Sequence, residues 1–304
     1  MDAAPTWPTD TLLVIAGPTA SGKTAVTLEL AERAPIEVIS ADSRQVYRGL
    51  DVGTAKPTPA ERTRVRHHGL DVVDPDETFS AKAFVALAVG AIADIRSRGR
   101  IPVVVGGTGF YIKALLARSP LGGVPPDPER RVALEQELAE GGTAALVARL
   151  RRLDPDALET IDPRNPRRLM RAIEIAAAGR TRPPQGPAAL PATILGIEAP
   201  PHELAERIAA RAERMFAEGL LEEAPAMLAA GYPRSLPALS GIGYAEAIAY
   251  LDGRLTLAAA IRRTVERTRQ FARRQRTWFR HQLPVNWCAR DTCVAAALRA
   301  IGRA

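Results

Sequence analysis

The clearest chemical signature in the sequence is an eight-residue segment that fits the pattern G-x-x-x-x-G-K-[ST]. Its residues are Gly17-Pro18-Thr19-Ala20-Ser21-Gly22-Lys23-Thr24. An apolar run at 12–16 predicts a buried strand before it, and a helical pattern at 25–34 follows it. Glycines in this context let backbone N–H groups turn inward around an anion at a helix N-terminus. Lys23 would add a positive charge and the Thr24 hydroxyl would hold Mg²⁺, so the segment predicts a site for linked phosphates and magnesium.

Two further residues with useful chemistry follow predicted strands. Asp42 comes just after a short apolar strand at 36–40, and Thr108 lies in a glycine-rich turn that follows the strand at 101–105. Ligands of open α/β sheets bind beyond the carboxyl ends of the strands, so we expect both residues at the edge that carries the phosphate loop. Two simpler interpretations stay open: Asp42 could be a helix N-cap, and the glycines could form only a flexible turn.

The surrounding pattern predicts the elements that position these residues. Strands alternate with helices, which favours an α/β fold with a parallel sheet flanked by helices. Proline- and glycine-rich stretches at 119–128 and 182–191 bracket a wholly helical pattern, and a strand at 193–197 can return to the sheet. We therefore predict a phosphate-loop α/β core formed by residues 1–118 and 191–304, with a helical C-terminal region and an all-helical insertion at 119–190.

The net charge of +7 over 304 residues indicates a polyanionic partner. Most of this signal comes from a predicted helix at 257–279 and the residue just after it. This segment contains eight arginines and only one acidic residue, Glu266, and the arginines are interleaved with Phe271, Trp278 and Phe279. These arginines are Arg262, Arg263, Arg267, Arg269, Arg273, Arg274, Arg276 and Arg280. Such a surface suits a nucleic-acid backbone, although an ordinary solvated helix face is the alternative.

Eight separated segments resemble, in the same order, the tRNA dimethylallyltransferases. Besides the phosphate loop they are 42–47, 53–57, 106–111, 167–174, 219–223, 241–244 and 268–275, and the likeness covers essentially residues 12–287. The resemblance implies transfer of a dimethylallyl group from dimethylallyl diphosphate to the exocyclic N6 amino group of the adenosine next to the anticodon on its 3′ side. The diphosphate would be released, and the phosphate loop would hold this leaving group rather than ATP.

The resemblance also implies roles for three residues. Asp42 would act as the general base on the adenine amino group, and Thr108 would hydrogen-bond the bridging oxygen of the donor. Arg211 would grip the diphosphate, adding to the positive charge of Lys23 and Mg²⁺ as the carbon–oxygen bond breaks.

The tRNA contacts implied by the resemblance fall in the core and in the helical insertion. They are Asp42, Ser43, Arg44, Gln45, Thr108, Arg130, Arg167, Arg168, Leu169, Met170, Arg171, Ser240, Gly241, Ile242, Gly243, Tyr244 and Ala245. Ala245 stands where the family often has a basic residue. The target adenosine would have to leave its stack to reach the site.

Two other functions share part of this pattern. An isopentenyltransferase acting on free adenine nucleotides would use the same donor, and a P-loop small-molecule kinase would use the same loop with ATP. Neither explains the helical insertion together with the arginine-rich helix. No run approaches the length of a membrane span and no export signal is evident, so we expect a cytoplasmic monomer without membrane contact.

Overall fold

The computed structural model describes residues 11–117, 124, 127–179 and 190–302. The chain divides into two compact units, one of Met1–Leu116 with Ala189–Ala304 and one of Ala117–Ala188. Most of the proline- and glycine-rich stretches predicted at 119–128 and 182–191 lies outside the described residues. No helix within the described ranges is long and apolar enough to cross a membrane.

A six-stranded sheet forms the centre of the first unit, and its strands are ordered β3-β2-β4-β1-β5-β6. The strands are β1 (Leu12–Ala16), β2 (Ile36–Ser40), β3 (His67–His68), β4 (Ile101–Gly106), β5 (Ala192–Glu198) and β6 (Asn286–Ala289). All neighbouring strands pair in parallel, which confirms the predicted sheet. The strand predicted at 193–197 does return to the sheet, as β5 beside β1.

Eleven helices occur in the described residues. They are α1 (Lys23–Arg33), α2 (Pro59–Arg64), α3 (Ala81–Ser97), α4 (Gly109–Leu116), α5 (Pro128–Leu153), α6 (Pro166–Ala177), α7 (Pro201–Ala217), α8 (Leu220–Ala229), α9 (Tyr244–Leu251), α10 (Leu257–Gln282) and α11 (Arg290–Ala300).

Helices cover both faces of the sheet. One apolar cluster joins the sheet to α3 and α4 through buried residues such as Phe84 and Ile112. The other joins it to α1 and α11 through residues such as Leu30 and Val294. Because both faces are covered, β1 and β2 are buried along their whole length, as is typical of parallel sheets. The predicted α/β class with flanking helices is therefore confirmed.

The register of the sheet brings three strand ends together. Ala16 of β1 pairs with Gly106 of β4, and Ser40 of β2 pairs with Val105 of β4. The segments that follow β1, β2 and β4 therefore leave the sheet side by side at one edge. These segments are the phosphate loop, the stretch that contains Asp42, and the glycine-rich turn that contains Thr108.

The described residues of the second unit are helical apart from their connections. Their core consists of apolar residues of α5 and α6, including Leu134, Leu146 and Ile173. Non-helical backbone at Gly142 (φ 64°, ψ −167°) breaks α5 into two helical segments. A short 3₁₀ turn, Asp156–Glu159, lies between α5 and α6.

Candidate active site

The phosphate-loop sequence forms a tight turn between β1 and α1. Gly17 has φ 152° and Gly22 has φ 98°, values that other residues rarely adopt. A Cβ at Gly17 would also lie 3.2 Å from the carbonyl oxygen of Ile197 on β5. The turn therefore requires glycine at both positions, and α1 begins directly at Lys23. This is the strand–loop–helix arrangement that the sequence predicts.

Lys23 folds back over the loop. Its Nζ donates hydrogen bonds to the carbonyl oxygens of Gly17 (3.0 Å) and Pro18 (2.8 Å). Burial lowers the pKa of Lys23 to about 8, an effect that Asp42 opposes and Arg211 reinforces. An anion bound in the loop would favour the charged form of Lys23. It would also accept the hydrogen bonds that Lys23 Nζ here donates to the Gly17 and Pro18 carbonyl oxygens.

Thr24 is the residue that could hold a metal ion here. It lies in the first turn of α1 with its side chain exposed, so its hydroxyl is accessible. No cluster of three or more His, Cys, Asp or Glu residues within the described ranges could hold an ion by itself. Mg²⁺ commonly takes few protein ligands and completes its shell with substrate phosphates and water, so a single hydroxyl beside an anion loop fits the ion.

Asp42 and Thr108 lie next to each other across the sheet edge. The Thr108 backbone N–H donates to the carbonyl oxygen of Ala41 (3.0 Å), and the Ser43 N–H donates to Thr108 Oγ1 (3.0 Å). The two segments can approach this closely because a Cβ at Gly106 would lie only 2.2 Å from the Ala41 oxygen. Packing therefore requires a glycine at position 106, so this segment is more than a flexible turn.

The Asp42 carboxylate is held in a turn rather than at a helix end. Its Oδ1 accepts a hydrogen bond from the Arg44 N–H (2.8 Å), and the residues that follow form turns with no helix. The N-cap alternative is therefore wrong. In the part of the chain that the structure describes, Oδ2 forms no hydrogen bond. The half-buried carboxylate thus has an oxygen available for a substrate proton.

Arg211 approaches the loop from α7. Its Nη2 donates to Thr19 Oγ1 at 2.6 Å, and burial lowers its pKa, although the Asp42 charge opposes this effect. Arg211 stays charged because an arginine pKa is far above neutrality. The residue implied by the resemblance therefore lies against the phosphate loop, 192 residues away from it in the sequence.

Gln275 on α10 links the two glycine-containing segments. Its Oε1 accepts a hydrogen bond from the Thr19 N–H (2.8 Å), and its Nε2 donates to the Gly107 carbonyl oxygen (2.9 Å). The side chain is buried, and the bond to Gly107 is buried with it, whereas the bond to Thr19 is partly buried. Gln275 lies in one of the segments that carry the family resemblance, but nothing in the sequence indicates this bridging role.

Several of these residues line one cavity of ≈ 190 Å³. Thr19, Asp42, Thr108 and Arg211 form its polar side. The rest of the wall is largely apolar and includes Ile208, Ala212, Met215, Ala238, Ile242 and Phe271. The apolar wall could not be located from the sequence. The cavity therefore combines a carboxylate, a hydroxyl and a guanidinium with room for a hydrocarbon group.

The predicted tRNA segment 240–245 forms part of the cavity wall, but the structure contradicts the prediction that Tyr244 contacts tRNA. The Tyr244 side chain is 1% exposed and packs so closely on Gly53 that a Cβ there would lie 2.4 Å from the ring. Its hydroxyl donates to the Glu223 carboxylate, which also accepts the N–H groups of Asp51 and Val52 at 2.8 Å. Tyr244 therefore fixes the wall of the site and its hydroxyl is not free for tRNA.

Two predicted tRNA contacts in the second unit are also corrected. Leu169 is fully buried and Met170 is 8% exposed, and both belong to the core between α5 and α6. Their apolar side chains are thus unavailable to RNA. Arg167 and Arg168 on the same helix are exposed. Arg171 instead bonds Glu174 (2.9 Å) and the Val124 carbonyl oxygen (2.7 Å).

The remaining predicted contacts divide into internal and accessible groups. Arg130 pairs with Asp127 at 3.6 Å, and Gln45 donates to the Ala55 carbonyl oxygen at 3.0 Å. Arg44 is exposed although its Nη1 reaches the Pro237 carbonyl oxygen at 2.9 Å.

The arginine-rich helix α10 has an accessible positive face. Four of its arginines are exposed and form no ion pair with described residues: Arg262, Arg269, Arg273 and Arg274. Arg267 instead pairs with the buried Glu246 and Arg280 pairs with Glu198. Of the three aromatic residues in this predicted surface, only Phe271 is exposed, at 39%. Phe279 is buried in the apolar cluster of the sheet and the partly buried Trp278 packs against it, so neither belongs to the accessible face.

Comparison with known proteins identifies the family. The IPP transferase family model matches residues 45–282 and the isopentenyl transferase model matches residues 10–75. A tRNA dimethylallyltransferase of Roseiflexus sp. (strain RS-1) is 50% identical over 274 residues, covering 88% of this chain and 90% of the relative. One from Anaeromyxobacter dehalogenans (strain 2CP-C) is 51% identical over 289 residues, covering 91% and 94%.

Solved structures agree with this match. The full-length tRNA isopentenylpyrophosphate transferase of Bacillus halodurans has a TM-score of 0.71 and 38% identity, covering 96% of both chains. A eukaryotic dimethylallyltransferase acting on tRNA has a TM-score of 0.74 and 25% identity, covering 96% of this chain and 78% of the other. The resemblance seen in the sequence is therefore confirmed, and the chain belongs to the IPP transferase family, as a transferase similar throughout to the tRNA dimethylallyltransferases.

Proposed function

We propose that the protein transfers a dimethylallyl group from dimethylallyl diphosphate to the N6 amino group of the adenosine on the 3′ side of the anticodon in tRNA. One observation carries the proposal: a single cavity is lined by the Asp42 carboxylate, the Thr108 hydroxyl and the Arg211 guanidinium, with an apolar wall opposite. The reaction needs an apolar space for the dimethylallyl group, a positive charge for the diphosphate leaving group and an acceptor for the N6 proton, and the cavity offers all three.

The donor diphosphate would bind at the phosphate loop. Lys23 and Arg211, beside the backbone of the loop at 17–22, would supply it with positive charge and hydrogen-bond donors. The exposed Thr24 hydroxyl would hold Mg²⁺, whose chemistry here is to neutralise charge on the diphosphate. In this arrangement Lys23 would exchange its bonds to the Gly17 and Pro18 carbonyl oxygens for bonds to phosphate oxygens.

The transfer would form a bond from adenine N6 to C1 of the donor and break the bond from C1 to the bridging oxygen. The electron pair of the broken bond leaves on the diphosphate, and the N6 proton passes to Asp42. Thr108 Oγ1 accepts a hydrogen bond from Ser43 N–H (3.0 Å) and donates a longer one to Ser43 Oγ (3.3 Å), which it would exchange for a hydrogen bond to the bridging oxygen. Arg211 and Lys23 would stabilise the negative charge that develops there.

The tRNA would bind through exposed arginines. Those of α10 and the exposed Arg167 and Arg168 of α6 suit phosphate contacts, which position the RNA without reading its sequence. The adenosine would have to leave its stack to reach Asp42. The monomeric state and the cytoplasmic location remain predictions that accompany this proposal.

Incubation with labelled dimethylallyl diphosphate, Mg²⁺ and unmodified bacterial tRNA tests the function. Free AMP in a parallel reaction tests the free-nucleotide enzyme, and ATP hydrolysis tests the kinase. We expect label in tRNA alone, without added ATP and with loss of label in Asp42→Asn. Label in AMP, or turnover of ATP without transfer to tRNA, would contradict the proposal.

A further inference from the structure

The first residue of helix α11 lies beside the phosphate loop. Strand β6 pairs in parallel with β5, and β5 pairs in parallel with β1, so β6 ends at the same edge of the sheet as β1. Helix α11 begins at Arg290, directly after this end of β6. The two family models match residues 10–75 and 45–282, so Arg290 lies beyond both of them. The loop therefore has a neighbour to which the family comparison assigns no role.

The Arg290 side chain packs on Gly22, the residue that directly precedes α1. A Cβ at Gly22 would lie 3.1 Å from Arg290 Cδ and 3.5 Å from Nε. The first turn of a helix has backbone N–H groups without helical partners, and at a phosphate loop these groups bind the anion. Because Gly22 has no side chain, the stem of Arg290 lies directly on this backbone. The guanidinium is therefore within reach of an anion bound at the start of α1.

Arg290 is a positive charge without a counter-ion in the part of the chain that the structure describes. Its side chain is exposed and forms no ion pair or side-chain hydrogen bond there. Arg207 also approaches the loop, with Nη1 3.4 Å from the Ser21 carbonyl oxygen, but its Nη2 pairs with Glu203 at 2.9 Å. The pKa of Lys23 is lowered to about 8, whereas an arginine keeps its charge at any working pH. Arg290 is therefore available to neutralise an anion in the loop.

We propose that Arg290 is a further binding residue for the donor, and that its guanidinium contacts the diphosphate together with Lys23 and Arg211. This proposal rests on the proposed function. Arg211 contacts the loop at Thr19. Arg290 contacts it nearer to α1, at Gly22, so the two arginines would hold the two linked phosphate groups at separate points of the loop.

The contact would serve both the bound donor and the leaving group. An arginine binds phosphate oxygens through two parallel hydrogen bonds, which add direction to its charge. The same bonds would stabilise the negative charge that develops on the diphosphate as the bond from C1 to the bridging oxygen breaks. Arg290 takes no proton and forms no covalent bond, so the balance of the transfer is unchanged.

Binding of inorganic diphosphate in the presence of Mg²⁺ tests this contact without tRNA and without transfer. Titration calorimetry would give the Kd for wild type, Arg290→Gln and Arg290→Lys. Steady-state transfer by the same proteins would give KM for dimethylallyl diphosphate and KM for tRNA. Arg299→Gln is the matched control, because it removes the same charge from an exposed position at the other end of α11.

We expect Arg290→Gln to raise the Kd for diphosphate and KM for the donor by about tenfold, the equivalent of 1.4 kcal/mol. Arg290→Lys keeps the charge but loses the paired hydrogen bonds, so both values should rise less than in Arg290→Gln. Arg299→Gln should change either value by less than about threefold, and KM for tRNA should stay within about the same limit in every variant.

The proposal is overturned if Arg290→Gln binds diphosphate as tightly as wild type does, or if wild type does not bind it. An equal loss in Arg299→Gln would also overturn it, since the effect would then be one of net charge. A higher KM for tRNA with unchanged diphosphate binding would do the same, because Arg290 would then contact RNA. Wild type that binds diphosphate but transfers no dimethylallyl group would instead contradict the proposed function.

Discussion

Replacement of Gln275 by leucine tests whether one side chain keeps the phosphate loop and the glycine-rich turn in register. The change deletes the bonds to the Thr19 N–H and the Gly107 carbonyl oxygen, at 2.8 and 2.9 Å, and puts nothing polar in their place. Each buried group left unpaired costs about 1–3 kcal/mol. Since the loop can partly reach water, we expect a total loss of about 2–4 kcal/mol.

The effect should appear in donor use as well as in stability. If the lost energy is expressed in the position of the loop, kcat/KM for dimethylallyl diphosphate should fall about 30- to 700-fold, at tenfold per 1.4 kcal/mol. The assay is steady-state transfer to tRNA with varied donor, together with urea unfolding of the same samples. Gln270→Leu is the control, because Gln270 lies on the same helix with an exposed side chain.

These measurements distinguish a residue that positions the phosphate loop from one that only stabilises the fold. A positioning residue should raise KM for the donor and lower kcat while KM for tRNA changes less than about threefold, the equivalent of 0.6–0.7 kcal/mol. A fall in unfolding free energy with unaltered kcat/KM for the donor would refute the reasoning, because Gln275 would then only stabilise the fold. No change in either quantity would refute the hydrogen bonds themselves.

Three further predictions concern the base, the loop lysine and the RNA surface. Asp42→Asn keeps an oxygen that can accept the hydrogen bond from Arg44 N–H but removes the proton acceptor. The affinity for tRNA should therefore change less than about threefold, while the transfer rate falls at least about 100-fold. A large loss of tRNA affinity with an unchanged single-turnover rate would make Asp42 a binding residue. The pKa of Lys23 is lowered to about 8, so Lys23 loses its positive charge above that pH and attracts the diphosphate less. The Kd of the free enzyme for the donor should therefore rise about tenfold per pH unit above pH 8, and Lys23→Met should remove this dependence. A Kd that titration calorimetry finds constant from about pH 7 to 9.5 in wild type would contradict the prediction. Neutralising Arg273 and Arg274 together should reduce the slope of log Kd for tRNA against log salt by about two; an unchanged slope would place the RNA surface elsewhere.

The sequence by itself determined the features that depend on local spacing. The phosphate loop is readable because a buried strand, glycines at fixed positions and a helix follow one another within a short stretch. The parallel sheet is readable because its buried strands are mostly apolar, and it follows that Asp42 and Thr108 come to one edge. The same logic fails for β6, which has only four residues, all of them half-buried or exposed.

Tertiary structure alone decided which side chains meet across long separations and which are buried. Gln275 contacts Thr19 over 256 residues, a pairing that no local pattern encodes. Residue type also does not tell which face of a helix finds a partner. Phe279 is therefore core rather than an RNA contact, and Leu169 is buried. Side-chain chemistry is written in the sequence, but burial and partners follow from how separate elements pack, and these decide what each group can do.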